Sequence, residues 1–416
     1  MWRSLLMLSV AASACSSAPL PRSGPHAEDA PPGTITALDD SMRRVMADHG
    51  LPGGQVVIVR GEETLASRAY GIARRDPQTP VTDATLFRIA SVTKPITAVT
   101  LHLMAAEGLV SLDAPLLDHL GPLPIEPSDA RWRRITLRHL LEHSGGFDRH
   151  ETFDPMFASQ RICEATECDG PAELDDILRV MLALPLDFDP GEDYAYSNFG
   201  YSLLGRVIEQ VSGQPYEAEV RRRVLEPSGA SSMRLGQTRP ERRPAQETHY
   251  FANPGEARSP SVFPGEGEVP TPDGGFYLPP MAAHGGWIAN ATDVAQVFLR
   301  LDGRPAPADL LDEDGLEGML ARPGHPAWRE LSFHYGHGLF VTHTDDPRSW
   351  WHDGSKPGTT ALALICADRT VAVALFNSRP VRGDVSADLD KELRNWVAAS
   401  ASRASTTASA PEVSGF

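Results

Sequence analysis

Lysine is nearly missing from this chain. Lys94, Lys356 and Lys391 are its only lysines, although Lys and Arg together number 38 in 416 residues. Arginine therefore carries almost all of the positive charge, and a retained lysine marks a place where arginine will not serve. Arginine stays charged at any accessible pH, whereas a lysine that is buried or crowded by cations can give up its proton and act as a base. Positive charge as a whole is also in deficit. The net charge of −17 argues against nucleic acid as a partner. Long apolar runs are absent too, so no stretch is long enough to cross a bilayer.

The N-terminus reads MWRSLLMLSVAASAC. One basic residue, a short apolar run and then small residues make an export signal over residues 1–14. The small residues directly before Cys15 resemble a bacterial lipoprotein signal, with Ala12 where leucine is usual. On that reading Cys15 is lipidated and anchors the protein to a membrane of the cell envelope, facing the periplasm or the outside. Ordinary signal cleavage followed by secretion is the alternative. Residues 15–33 are rich in Ser, Pro and Ala and read as a flexible tether. Cys163 and Cys168 are candidates for a small disulfide in an exported protein, with two free thiols as the alternative. No histidine pair flanks them at zinc spacing, so no metal site is expected. Cys366 lies in an apolar run and reads as a packed side chain.

Residues 35–49 show helical periodicity, and residues 55–60 and 64–71 read as two strands of a hairpin. A long apolar helix begins near Ser91 and ends by Gly108. Residues 135–146 make a short helix with a glycine stop, and His143 at its end reads as structural. Residues 148–170 are polar and irregular. Helices follow over residues 172–184, 200–213 and 214–225. Residues 236–280, rich in Pro, Gly and Arg, offer little regular structure and read as either a functional lid or a solvated insertion. A helix over residues 291–301 precedes strands at 333–342, 359–367 and 369–377, and a last helix at 384–399. Residues 400–416 read as a disordered tail. The pattern predicts an α+β domain over residues 34–399. Its antiparallel sheet comes from residues 34–90 and 330–399, is flanked by helices, and encloses a mostly helical region over 91–329.

The chemistry centres on Phe87-Arg88-Ile89-Ala90-Ser91-Val92-Thr93-Lys94-Pro95. Residues three apart share a helix face, so Lys94 can reach the Ser91 hydroxyl. Pro95 is tolerated only in a first turn, which puts the helix start near Ser91. Unpaired backbone N–H groups there favour a developing oxyanion. Two further stretches carry chemical side chains. Tyr196-Ser197-Asn198 follows a Pro-Gly turn, and His352-Asp353-Gly354-Ser355 leads into a strand. A tyrosine can relay protons, an asparagine can hold an amide or orient a lysine, and a strand edge can present an oxyanion donor.

S-x-x-K, then Y-x-N, then H-x-G resembles the serine β-lactamase and penicillin-binding-protein superfamily. The resemblance is to the branch with class C β-lactamases, D-alanyl-D-alanine carboxypeptidases and related esterases, and it runs from about residue 35 to 397. It implies a β-lactamase/transpeptidase-like fold. It further implies Ser91 as acylated nucleophile, Lys94 and Tyr196 as shared general base and acid, and Asn198 as contact for the substrate amide and Lys94. His352 and Gly354 would line the site, and the N–H groups of Ser91 and Ser355 would form the oxyanion hole. No cofactor is implied. His352 and Asp353 stand where Lys and Thr are found in the better-known lactamase pattern. That departure favours ester, small-amide or D-peptide substrates over β-lactams. A non-catalytic envelope protein that binds peptidoglycan fragments or a partner in the same cleft is the rival reading.

Overall fold

The computed structural model describes residues 30–253, 255, 257–342, 348–380 and 385–408. The expected signal peptide, Cys15 and most of the expected tether lie outside the described residues.

Thr34 caps the first helix, α1 (Ile35–His49), by accepting from the Ala37 N–H, and Gly50 closes it at φ +65°. Its stripe of Leu38, Met42, Val45 and Met46 is buried. The chain then forms β1 (Gly53–Arg60), β2 (Glu63–Arg75) and β3 (Gln78–Pro80). The other half of the sheet comes from the far end of the chain: β4 (Phe333–Tyr335), β5 (Phe340–Thr342), β6 (Trp350–Lys356), β7 (Thr359–Ile365) and β8 (Val371–Phe376). The eight strands run in the order β3-β2-β1-β8-β7-β6-β5-β4. Neighbours are antiparallel, with β1 beside β8 and Gln55 opposite Leu375.

The sheet is covered on both faces, so its central strands are apolar throughout instead of alternating. Val57, Val59, Ala361, Ala363, Val373 and Leu375 face the helical region. Val56, Ile58, Leu362, Leu364, Ala372 and Phe376 face a second core with α1 and the last helix, α6 (Val385–Ala408), through Leu389, Leu393 and Trp396. Each buried Val, Ile, Leu or Phe among them contributes about 1.5–3 kcal/mol, and each alanine less. The helices that matter for the site are α2 (Thr93–Ala106), α3 (Asn198–Ser212), the short α4 (Ala282–Gly285) and α5 (Ala291–Phe298).

Several expectations need correction. Residues 333–342 are not one strand but two, because the chain reverses through Gly336 and through Gly338 at φ +83°. Residues 350–356 form a strand paired on both sides, not a lead into one. The polar stretch 148–170 contains a helix, Ser159–Thr166. Cys163 and Cys168 are joined by a disulfide there. The last helix continues to Ala408, through the first part of the expected tail.

Residues 236–280 are tied to the body of the domain at several points, while residues 264–268 stay exposed. Arg88, fully buried, donates to the carbonyls of Pro272 at 2.8 Å and Gln237 at 3.0 Å, and lies 4.2 Å over the Tyr250 ring. Glu247 sits 3.9 Å from the same guanidinium, and Arg243 pairs with Asp273 at 2.8 Å. The segment is thus clamped to the residue that leads into Ser91, and Tyr250, Phe276 and Leu278 are buried within it.

Candidate active site

Ser91 sits in a single 3₁₀ turn, Ala90–Val92, just ahead of α2. Ala90 has φ +46°, a left-handed conformation costly for a residue with a Cβ, so the turn is held by its surroundings. Pro95 falls in the first turn of α2, where its missing N–H costs nothing. Lys94 is completely buried. Its Nζ lies 3.2 Å from Ser91 Oγ, 2.9 Å from Asn198 Oδ1 and 3.1 Å from the His284 carbonyl oxygen. Two of these partners can only accept. A neutral amine has two N–H groups for them and one lone pair for the Ser91 hydroxyl. Burial, and then the charge of Lys356, hold the Lys94 ammonium well below the usual lysine range.

Ser197 is the N-cap of α3, accepting from the Gly200 N–H at 3.1 Å, so Asn198 occupies the first helical position. Its amide nitrogen donates to Asp154 Oδ2 at 2.7 Å. Tyr196, half-buried, hydrogen-bonds Ser91 through its hydroxyl, and its ring lies 4.6 Å from Lys94 Nζ. Burial pushes the phenol well above its ordinary range, so it keeps its proton. His143 accepts the Ser197 N–H at its Nδ1, 3.1 Å away, and packs among Tyr196, Tyr201 and Tyr335.

On the opposite wall, a Cβ added to Gly354 would lie 2.4 Å from the Ile89 carbonyl oxygen and 3.0 Å from Ser91 N. Only glycine lets β6 approach the nucleophile turn this closely. Ser355 faces outward into the cavity. That cavity, about 350 Å³, is lined by Ser91, Tyr196, Asn198 and Ser355. Arg149, Asp154, Phe157, His284, Lys356, Pro357 and Arg379 complete it.

His352 does not line this cavity. It is 1% exposed and lies beneath the surface of β6. Its Nδ1 donates to the Asp353 carbonyl at 2.5 Å, and its Nε2 lies 3.1 Å from the Tyr335 hydroxyl. Burial and the nearby Lys94 push its pKa down to about 3, so the ring is neutral. Asp353 points to the other face of the sheet, where its Oδ2 accepts from Ser386 Oγ at 3.4 Å. Sequence reasoning missed Asp154. The signal was present in Asp154-Pro155, an N-cap followed by proline at the first helical position.

The beta-lactamase family model matches residues 38–394. Esterase EstB of Burkholderia gladioli is 33% identical over 211 residues, 49% of this chain and 52% of that protein. The chain thus spans about half the length of that relative. A protein of Escherichia coli O157:H7, provisionally named D-alanyl-D-alanine carboxypeptidase, is 25% identical over 311 residues, 71% of this chain and 70% of its own. Among solved structures, the D-amino acid amidase of Ochrobactrum anthropi SV3 superimposes with a TM-score of 0.67 at 24% identity, covering 88% of this chain and 99% of that one. The last is a likeness of fold. The match over nearly all of the described residues makes the chain a member of the beta-lactamase family, within the serine β-lactamase and penicillin-binding-protein superfamily.

Proposed function

We propose that the protein is an exported serine hydrolase that cleaves esters or small amides through an acyl-enzyme on Ser91. The observation that carries this reading is the set of three partners around Lys94 Nζ. The neutral amine takes the Ser91 proton as the hydroxyl attacks the acyl carbon. The oxyanion forms against the N–H groups of Ser91 and Ser355. Tyr196, still protonated, gives its proton to the leaving group and is reprotonated through Lys94. Water then attacks the acyl-enzyme, the proton passes back along the same path, and Ser91 is released. Asn198 holds the acyl side of the substrate and Lys94 together.

For the substrate, the buried neutral His352 favours esters and small amides over β-lactams, because it supplies no fixed cation in the position of the lactamase lysine. Cleavage of D-Ala-D-Ala peptides is the second reading, favoured by Arg149 and Arg379 in the cavity wall, which suit a terminal carboxylate. Lipid attachment at Cys15 belongs to the same proposal and places the enzyme at the cell envelope. Incorporation of labelled palmitate, lost in Cys15→Ala, tests it.

The decisive experiment is intact mass of the chain from residue 30 onward after a fluorophosphonate probe, beside Ser91→Ala and Lys94→Ala. One adduct on the unsubstituted protein, absent from both variants, is expected. A folded protein that takes up no probe would favour a binding role in the same cleft. Turnover of p-nitrophenyl acetate against a diacyl-Lys-D-Ala-D-Ala peptide then orders the two substrate classes.

A further inference from the structure

Two of the three lysines of the chain converge on one short segment: Lys356 lines the cavity, and Lys94 is buried behind Ser91. Lys356, on β6, is 3% exposed, and its Nζ donates to the Gly285 carbonyl at 2.5 Å. Lys94 donates to the preceding carbonyl, that of His284, at 3.1 Å. The two amines therefore hang on consecutive carbonyls of α4. A Cβ on Gly285 would lie 2.9 Å from Lys356 Nζ, so the glycine makes the seat for this side chain.

We propose that Lys356 is a positioning residue for the base: its ammonium, seated on the Gly285 carbonyl, keeps the neighbouring Lys94 in the neutral form that accepts the Ser91 proton. This rests on the reading of Ser91 and Lys94 given above. Interacting groups of like charge do not both ionise at a shared buried site, and the better-solvated ion forms first. Burial lowers the Lys356 ammonium as it does that of Lys94, but Lys356 has the Gly285 carbonyl, the Met281 sulfur at 3.6 Å and the Phe276 ring at 5.7 Å, which can only accept and offer it no proton. Lys94 also has acceptors, Asn198 Oδ1, the His284 carbonyl and the Tyr196 ring at 4.6 Å, but of the two amines it is the one beside the Ser91 hydroxyl, which a neutral amine can use as a donor.

The other charges around the pair leave the balance positive. Lys94 feels Lys356, Arg149, Asp154 and Asp353; Lys356 feels Arg88 and Asp154. Asp154 is already engaged by Asn198 and by the Met156 N–H. His143, His284 and His352 are held neutral by burial, and Tyr196 and Tyr201 keep their protons. The field at Lys94 is therefore set mainly by its lysine neighbour.

Carbon-13 labelling at lysine Cε gives three resonances to follow by NMR against pH in the whole chain, with exposed Lys391 as reference and single replacements for assignment. Lys94 is expected to titrate at lower pH than Lys356. In Lys356→Met its midpoint rises by about 1 pH unit or more, and the acidic limb of kcat/KM on p-nitrophenyl acetate rises with it. Lys356 losing its proton first in the unsubstituted protein overturns the proposal, and that test needs no variant to fold. So does a folded Lys356→Met with Lys94 unmoved, including the case in which only KM changes and Lys356 is a substrate contact. Because the titration needs no turnover, a protein that never acylates would fail the hydrolase reading and still report on this pair.

Discussion

Asn198 presents the two ends of one amide to a carboxylate and an amine: Nδ2 donates to Asp154 at 2.7 Å, and Oδ1 accepts from Lys94 at 2.9 Å. The carboxylate therefore decides which way the amide faces. In Asp154→Leu nothing prevents the amide from turning its N–H₂ towards Lys94. Loss of one charge-assisted hydrogen bond is worth about 1.5–3 kcal/mol, so kcat should fall about 10- to 100-fold while KM changes less. Steady-state kinetics on an activated ester check this, and an unchanged kcat would remove Asp154 from the account.

Gly354 lies where β6 touches the nucleophile turn. Gly354→Ala puts a carbon 2.4 Å from the Ile89 carbonyl oxygen, a backbone atom that cannot swing away. The strand must shift, at a cost of about 1–3 kcal/mol in stability. The oxyanion donors part with it, and kcat/KM should drop about 100-fold or more. Urea unfolding and kinetics measure the two effects separately; full activity in this variant would mean that β6 does not supply a donor.

His352 and His102 are both buried, with pKa values pushed down to about 3 from 6.5. Between pH 6.5 and 3 the unfolded chain binds protons at these sites that the folded chain refuses. Stability therefore rises with pH across that window and is lost as pH falls through it, by about 1.4 kcal/mol per unit for each histidine. His352→Gln should make the slope shallower by about one proton. Unfolding free energies at pH 7, 5.5 and 4.5 give the slope directly, and equal slopes for variant and parent would contradict the burial argument.

Arg88 and Glu247 are both wholly buried at 3.9 Å. Arg88→Met removes one charge and leaves Glu247 with Arg243 at 3.9 Å and the Tyr250 hydroxyl at 2.8 Å, so the cost falls below the about 3–5 kcal/mol of a fully stranded buried charge. It also leaves the Gln237 and Pro272 carbonyls to Arg243 alone, at 3.4 and 3.1 Å. Limited proteolysis should then cut within residues 236–280 well before the parent protein is touched. Resistance equal to the parent would show that the clamp lies elsewhere.

What could be read in the sequence was local. Ser91 and Lys94 are one helical turn apart, and Tyr196 and Asn198 flank a helix start, so spacing and capping chemistry place each pair without tertiary information. The α+β layout also followed from the order of periodic segments. What escaped depends on distant partners. Asp154 acts through Asn198, 44 residues away, and its own neighbourhood shows only an N-cap before a proline. His352 looked accessible because Gly354 and Ser355 beside it are small. Strand alternation instead turns His352, Gly354 and Lys356 towards the helical region, with β7 and β5 on either side. The reversal at Gly336 and Gly338 was hidden in a run of aromatic and β-branched residues that reads as one strand.

The pairing of β1 with β8 gives the molecule a built-in order of events. Ser91 and Lys94 have been made once the first quarter of the chain is complete, but Asn198, α4 and the opposite wall on β6 all come later. β1 has no partner on its inner edge until residues 371–376 arrive. Contacts between such distant segments form late and slowly. The nucleophile is therefore chemically idle throughout synthesis, and completion of the sheet is itself the moment of activation. A chain cut short before β8 would be left with two open apolar strand edges and an unfinished cleft, prone to aggregate and unable to acylate.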